Sequence, residues 1–372
     1  MSWWDLYTIV EEMTSCFRPG GRACFAALVA AFLYHERYHT ANAVDLLARI
    51  KSYGYRKAYR KIEKFLHRKV MRFDPVWQWL WDQLTAQLRD CFVLVDGTMW
   101  ADGRQVLMAA VAHSGRCLPC LAVAYDLKEM TRSQNQAEQS FFLLLKMLRR
   151  VGQQITAIKD RGFGRIALLQ AFSAWQLHFI TRVCHGTYFS NQSYQGLLKE
   201  FPLRPGDLID LGRGQLGKNP KHQVTVRLVL YWGKGHQAAW FIATDRLDLT
   251  PEQIIQLYAH RMGIEAAFRD TKGMRYGWGL RKVQLHSDVQ LTVLWAAAMV
   301  AYALRMAAGA YVSKQDRQAM FNWTRKGPRR SLLSVGRNAL TSGLLQLRPL
   351  LAELPGLGLR LKQLSSKLPQ PT

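Results

Sequence analysis

Residues 92–98 of the chain read Phe92-Val93-Leu94-Val95-Asp96-Gly97-Thr98. Four apolar residues with β-branched content predict a short buried strand, and the Asp-Gly-Thr sequence predicts where that strand ends. Two further strand candidates, 105–112 and 118–125, follow along the chain, and each is preceded by a glycine. The fold is therefore expected to begin with three sequential strands.

The segment after these strands alternates helix and strand signals. Residues 136–151 have the periodicity of an amphipathic helix, and residues 155–158 form a short apolar run that leads into Asp160. A helix over 164–175 and a strand over 177–183 are predicted next. The order β-β-β-α-β-α-β is typical of a mixed sheet flanked by helices, so we predict an α/β (α+β) fold.

The chain beyond residue 183 changes in texture. Glycine and proline turns and a strand pair, 223–232 and 238–244, predict a β-rich insertion over 184–246. Thr250, followed by a proline, then predicts the start of a helix that can run through Glu265. The N- and C-terminal regions are predicted to be helical.

The charge of the chain is strongly unbalanced. It contains 51 Lys and Arg residues against 26 Asp and Glu residues, a formal net charge of +25. A surface this basic favours a polyanionic partner, of which nucleic acid is the commonest. A generically basic protein, such as a ribosomal protein, is the alternative.

Residues 51–72 concentrate nine Lys and Arg residues against one acid, Glu63, with tyrosines interleaved. Cations can neutralise DNA phosphates while aromatic side chains pack against the backbone, so this stretch is a candidate phosphate-binding helix. A solvated basic helix is the alternative. The candidate contacts are Arg56, Lys57, Arg60, Lys61 and Lys64. A second basic stretch covers residues 325–330.

Cysteine usage and the termini favour a reducing cytoplasm. Six cysteines in a chain of 372 residues do not suggest a disulfide framework, and the N-terminus lacks the pattern of a secretory leader. Cys117 and Cys120 form an isolated CxxC, which favours two small buried residues over half of a zinc site or a redox pair. The apolar run 291–312 contains Arg305, so we predict a buried core helix and no membrane span.

Three carboxylates form the candidate catalytic set. Asp96 and Asp160 follow short apolar strands, and strand ends of a mixed sheet are where catalytic groups collect. With Glu265 downstream, they could hold two Mg²⁺ ions about 3.5–4 Å apart. Hard oxygen ligands without a His or Cys cluster favour Mg²⁺ over zinc. We therefore predict Asp96, Asp160 and Glu265 as metal ligands.

Residues 258–272 carry the strongest pattern, Tyr258-Ala-His-Arg261-Met-Gly-Ile-Glu265-Ala-Ala-Phe-Arg-Asp-Thr-Lys272. On a continuous helix, at about 100° per residue, the four numbered side chains would fall within an arc of roughly 60°. That stripe would combine a metal ligand, Glu265, with phosphate contacts from Arg261 and Lys272.

With these residues the chain resembles DDE-class prokaryotic insertion-sequence transposases of the IS-four family. The family signature Y-x(2)-R-x(3)-E-x(6)-K is matched in full over residues 258–272, and the motifs at 95–98 and 159–164 are also similar. The resemblance covers about residues 90–280. Met262 departs from the family, in which many relatives carry an aromatic residue at that position.

The resemblance implies an RNase H-like core with a β-strand insertion between the second Asp and the Glu. It also implies cut-and-paste transposition, by metal-dependent hydrolysis and strand transfer at terminal inverted repeats. Two Mg²⁺ ions, replaceable by Mn²⁺, would be the cofactors. The partners would be double-stranded DNA, both inverted repeats and target, and a second copy of the chain in a synaptic complex, in the nucleoid of a prokaryotic cytoplasm.

The resemblance also implies roles for individual residues. Asp96, Asp160 and Glu265 would bind the metal ions. In related enzymes a tryptophan of the insertion stacks on a flipped base, and Trp240 matches it; a buried strand aromatic is the alternative. The candidate DNA contacts near the carboxylates are Tyr258, Arg261, Lys272 and Arg161.

The predicted regions are then five. A helical DNA-binding domain covers 1–88, and a helical region for DNA-end contact or multimerisation covers 291–372. The first part of the core covers 89–183, the insertion 184–246 and the second part of the core 247–290. A catalytically inactive DNA-binding derivative and a structure-specific RNase H-like nuclease are the alternative functions.

Overall fold

A computed structural model of the protein describes residues 3–69, 71–100, 103–113, 115–126, 134–275, 277–285, 287–315, 331–343, 345–364 and 368. The basic stretch predicted at 325–330 lies outside the described residues.

Helices precede the sheet: α1 (Trp3–Met13), α2 (Pro19–Tyr34), α3 (Thr40–Lys51), α4 (Tyr55–Leu66) and α5 (Asp74–Thr85). The apolar residues of α2 cover its whole circumference, and the helix is accordingly buried among its neighbours. In contrast, α4 buries only Ala58, Ile62 and Phe65, which lie on one face, and exposes its cations on the other.

The strands form one mixed sheet, as predicted. In chain order the elements are β1 (Asp90–Met99), β2 (Arg104–His113), β3 (Arg116–Asp126), α6 (Gln134–Leu148), β4 (Gln154–Lys159), α7 (Ile166–Trp175), β5 (His178–Arg182), β6 (Tyr188–Ser190), β7 (Gln195–Leu197), β8 (Leu208–Leu216), β9 (Val224–Tyr231) and β10 (Trp240–Thr244). Their order across the sheet is β3-β2-β1-β4-β5-β10-β9-β8-β6-β7. The pairs β1–β4 and β4–β5 are parallel, and the other neighbouring pairs are antiparallel.

The strands of the β-rich stretch extend the same sheet. Strand β10 pairs with β5 and with β9, so the hydrogen-bonded ladder continues from the first strands into the stretch at 184–246. The position of β10 between β5 and β9 makes this stretch a lateral extension of the sheet and not a separate layer.

The register of β1 and β4 aligns the two aspartates. The parallel pairing of these strands ends at Val95 and Lys159, which lie opposite each other. Asp96 is the next residue on β1, and Asp160 is the residue that follows β4. The predicted end of β1 at Asp96 was wrong, because antiparallel pairing with β2 carries the strand on to Met99.

The remaining helices are α8 (Pro251–Ala259), α9 (Met262–Lys272), α10 (Asp288–Lys314), α11 (Leu332–Thr341) and α12 (Leu347–Leu351). Thr250 caps α8, as predicted, because its hydroxyl accepts a hydrogen bond from the backbone N–H of Gln253.

The prediction of one helix through Glu265 was wrong. The helix is interrupted at His260 and Arg261, where the backbone N–H of Arg261 bonds the carbonyl of Tyr258, only three residues back, and Gly263 likewise bonds His260. Gly263 allows the start of α9 to lie close to the sheet, because a Cβ there would lie 2.8 Å from the carbonyl oxygen of Arg116 in β3. Helix α9 therefore starts anew where it packs on the sheet.

Helix α10 passes through the core. Among the described residues it is the helix long and apolar enough to cross a membrane, and 94% of its apolar window is buried within the fold. Arg305 donates to the carbonyls of Phe32, Leu33 and His35, which end α2 without helical partners. Cys117 and Cys120 are buried, as predicted.

Candidate active site

Asp96 lies on β1 with its carboxylate held from two sides. The backbone N–H of Gly97 donates to Oδ1 at 2.8 Å, and Nη1 of Arg261 donates to Oδ2 at 3.0 Å. Burial raises the pKa of Asp96, while the Gly97 N–H and the Arg261 charge oppose that rise. The charges of Asp160 and Glu265 raise the pKa of Asp96 further, so both carboxylates lie close enough to Asp96 to act on it.

Asp160 follows β4 and lies beside Tyr258. The phenol of Tyr258 donates to Oδ1 of Asp160 at 3.3 Å. Tyr258 is buried, and that burial, together with the Asp160 charge, raises its pKa, so the phenol stays protonated and remains a donor. A short 3-10 turn, Arg161–Phe163, begins directly after Asp160 and buries Phe163.

Arg261 joins Asp96 to Glu265. Its Nη2 donates to Oε1 of Glu265 at 3.1 Å, and its Nη1 reaches Asp96. The Arg261 side chain is 13% exposed, against 49% for Glu265. The guanidinium therefore lies between two of the three candidate metal ligands and neutralises part of their charge.

Lys272, at the end of α9, reaches back to β1. Its Nζ donates to the hydroxyl of Thr98 at 2.6 Å and to the carbonyl of Met99 at 2.9 Å. Burial and the neighbouring Arg281 charge both lower the pKa of Lys272. This contact brings Lys272 to the strand that carries Asp96, although the interrupted helix no longer aligns it with Tyr258.

Trp240 belongs to an aromatic group beside Asp160. Its ring centroid lies 5.0 Å from that of Tyr258 and 5.1 Å from that of His236. Trp240 is half-buried, so one part of the ring packs on the fold while another is accessible.

A cavity of about 270 Å³ opens beside this aromatic group. Arg161 and Trp232 are among its lining residues, with Arg182, Val183, Cys184, His185, Gln237, Ala238, Ala239 and Phe241. Arg161 was a candidate from the sequence, whereas Trp232 and Arg182 were missed. The signal available for Trp232 was its place at the end of a predicted strand, next to a glycine turn.

The structure gathers some of the predicted residues and separates others. Arg261 brings together Asp96 and Glu265, Tyr258 contacts Asp160, and Lys272 contacts β1. The cations predicted at 56–64 lie instead on α4, which packs against α2, α3 and α10.

Within the described part of the chain, no three His, Cys, Asp or Glu side chains already lie in an arrangement that could hold a metal ion. The contacts above give a physical reason. Asp96 and Glu265 are turned onto Arg261, and Asp160 onto Tyr258. The donor chemistry suits Mg²⁺, because all three groups are carboxylates, but Asp96 and Glu265 would have to leave Arg261 before the three could converge on a cation.

Comparison with known proteins gives one match. A family model described as a transposase DDE domain matches residues 88–304, which is more than half of the chain. The match starts after α5 and includes the whole sheet and most of α10. No curated protein matches the chain.

Proposed function

The chain belongs to the transposase DDE domain family, and from that membership we propose that Asp96, Asp160 and Glu265 are its catalytic carboxylates. Family membership makes the protein a transposase, an enzyme that acts on DNA with divalent metal ions. The salt bridges of Arg261 to both Asp96 and Glu265 carry the assignment, together with the contact of Tyr258 with Asp160. The register that aligns Asp96 with Asp160 supports it.

The carboxylates would hold two divalent cations, Mg²⁺ or Mn²⁺. Such a pair activates a water molecule or a 3′-hydroxyl and stabilises the leaving oxygen during in-line displacement at phosphorus. In this proposal Arg261 exchanges its carboxylate contacts for a DNA phosphate when the carboxylates bind the cations. Tyr258 holds Asp160 in place through its phenol, and Lys272, anchored on β1, contacts a nearby phosphate.

We further assign the chain to the IS-four family and its chemistry to cut-and-paste transposition. The supporting observation is the complete Tyr-Arg-Glu-Lys signature over residues 258–272. Cleavage and strand transfer would then take place at terminal inverted repeats. The half-buried Trp240, or Trp232 at the neighbouring cavity, could receive a flipped base, with Arg161 near its phosphate.

The rest of the chain would supply DNA ends and partners to this core. In this proposal residues 1–88 form the DNA-binding domain, with the α4 cations on phosphates, and residues 184–246 form the insertion between the two parts of the core, 89–183 and 247–290. Residues 291–372 contact DNA ends or a second copy of the chain. Two copies would bring two ends together in a synaptic complex.

The catalytic assignment is tested by Asp96→Asn, Asp160→Asn and Glu265→Gln. The substrate is a supercoiled plasmid that carries the inverted repeats flanking the coding region, in Mg²⁺ or Mn²⁺. Each substitution is expected to lower strand cleavage by about 1,000-fold or more, since a bound metal pair supplies several kcal/mol of transition-state stabilisation and 1.4 kcal/mol is tenfold in rate. Asp45→Asn, an exposed carboxylate on α3, is the matched control.

Three outcomes separate the alternatives. Retained cleavage in any of the three variants removes that residue from the catalytic set. Wild-type protein that binds the repeats in sequence-specific fashion but never cleaves them is an inactive derivative. Cleavage that follows DNA shape and ignores the end sequence identifies a structure-specific nuclease.

A further inference from the structure

A basic cavity of about 330 Å³ lies at the C-terminal end of α9. Three of its lining residues are cationic, Arg269, Lys272 and Arg281, and none of the described residues that line it is acidic. The others are Phe268, Gly273 and Met274. Apart from Lys272, no residue of this cavity belongs to the site described above.

Glycines bring the third cation to the other two. Residues 277–279 fold back on α9, so that the N–H of Trp278 bonds the carbonyl of Asp270 at 2.9 Å. A Cβ at Gly277 would lie 2.4 Å from that same carbonyl oxygen, and Gly279 has a φ of +72°. This turn sets Arg281, in the 3-10 turn Leu280–Lys282, beside Lys272.

The three cations repel one another. The Arg281 charge is one of the causes that lower the pKa of Lys272. The negative end of the α9 dipole stabilises the charges of Arg269 and Lys272, which lie in the last turn of the helix. It does not account for Arg281, which the chain brings in from outside the helix. An anion in the cavity would relieve this repulsion.

We propose that this cavity binds a phosphate of the DNA strand, one to two nucleotides from the phosphodiester that reacts at Asp96, Asp160 and Glu265; the proposal rests on the function proposed above. Thr98, the anchor of Lys272, is two residues from Asp96, about 7 Å along a strand. Lys272 itself is seven residues from Glu265, about 10 Å along a helix. Adjacent phosphates of one strand combine an axial rise of about 3.4 Å with a displacement around the helix and lie about 6–7 Å apart, so these separations span one to two nucleotides.

The cavity also has an apolar side. Phe268 is buried, and Met274 lies near it at the cavity wall. A nucleotide has an anionic phosphate and a largely apolar sugar edge, so Arg269 and Arg281 would take the phosphate while Phe268 and Met274 contact the sugar. Lys272 has two of its three N–H groups engaged on β1, which leaves one for the same phosphate.

The test replaces single phosphates in the DNA. Duplexes of the inverted repeat carry one neutral methylphosphonate at successive positions around the cleavage site, and the affinity of each is measured. Wild-type protein is expected to lose about threefold to tenfold in affinity at a position one or two nucleotides from the cut. The double variant Arg269→Gln/Arg281→Gln is expected to be insensitive at that position alone. The slope of its log affinity against log salt concentration should fall by about 1, because both arginines contact a single phosphate.

Lys282→Gln is the matched control, since it removes a neighbouring exposed cation that does not line the cavity. Thermal unfolding of each variant verifies that the fold is retained. The inference is overturned if the double variant keeps the wild-type sensitivity at every position. Failure of the proposed function is a separate result, because it is seen as absence of metal-dependent cleavage by wild-type protein, whereas the cavity is judged by binding alone.

Discussion

Two groups of cations are predicted to contact DNA, and they differ in their exposure and in their ion pairs. At the carboxylates, Arg261 is 13% exposed and paired with Asp96 and Glu265. On α4 the cations are exposed, and no ion pair joins them to a carboxylate of the described residues. Those α4 residues are Arg56, Lys57, Arg60, Lys61 and Lys64. The sequence alone gave both groups the same role, that of phosphate contacts.

The two groups differ in how strongly each cation acts on the charged groups beside it. A substitution of Arg261 changes the charge felt by two carboxylates, so its effects on metal and on DNA are linked. A substitution on α4 removes one solvated charge and leaves its neighbours unchanged. Substitutions in the first group should therefore be non-additive, and those in the second additive.

Among substitutions of these cations, the largest effect is expected for Arg261→Gln. Removing the guanidinium leaves Asp96 and Glu265 without their cation, so their affinity for Mn²⁺ in the absence of DNA should rise by about tenfold or more, given the strength of close charge pairs near a protein surface. DNA affinity in the presence of the metal should fall. Calorimetric Mn²⁺ titration and DNA binding give the two values.

Arg204→Gln, which removes an exposed arginine of the β-rich stretch, is the control for net charge. The two expected changes have opposite signs, because Mn²⁺ affinity should rise while DNA affinity falls. Weaker Mn²⁺ binding in Arg261→Gln would mean that the guanidinium organises the carboxylates for the metal and does not compete with it. Arg261 would then differ from the α4 cations in its position and contacts, but not by competing with a metal ion.

The parts of this arrangement that the sequence predicts are local. Strands β1 to β5 follow from short apolar runs, and the start of α8 from Thr250 and its proline. Helix α9 starts where Gly263 lies against the backbone of Arg116, far away in sequence, and helical periodicity could not reveal this contact.

The contacts that the sequence left unpredicted are also non-local. The stretch at 184–246 joins the main sheet because β10 pairs with β5, a contact between segments about 60 residues apart that no local pattern encodes. The role of Arg261 was missed for the same reason. A helical stripe predicts which side chains share a face, but not that the guanidinium meets Asp96 on another strand.

Lys159 differs from both groups of cations, because its amine is buried away from water and pairs with no carboxylate of the described residues. It is fully buried, and its Nζ lies 3.7 Å from the ring centroid of Phe172 without a hydrogen-bond partner among the described residues. Burial lowers its pKa well below the ordinary value. In the unfolded chain the amine stays protonated to about pH 10.4, so the unfolded state binds more protons over the interval between the two pKa values.

The free energy of unfolding should therefore rise with pH across that interval, by up to about 1.4 kcal/mol per pH unit, and fall as pH drops. Lys159→Met should flatten this slope and stabilise the protein at pH 7 by about 1–2 kcal/mol, because it removes a buried amine without a partner. Urea unfolding at pH 7 and pH 9.5 measures both. Lys199→Met, at an exposed lysine, is the control. Destabilisation would show that cation–π contacts with the phenylalanines outweigh burial.

The smallest effects are expected on α4, and there the pattern matters more than the size. Lys57→Gln, Lys61→Gln and Lys64→Gln should each lower the slope of log affinity against log salt by about 0.9. The increase in DNA affinity from 200 to 50 mM salt should then be roughly threefold smaller for each variant. The effects should multiply in double variants. Glu63→Gln, which removes the acid of the same helix, should strengthen binding. If the lysine effects are instead strongly non-additive, the α4 cations act as an organised unit, as Arg261 and its carboxylates do, and exposure is then a poor guide to how these cations bind DNA.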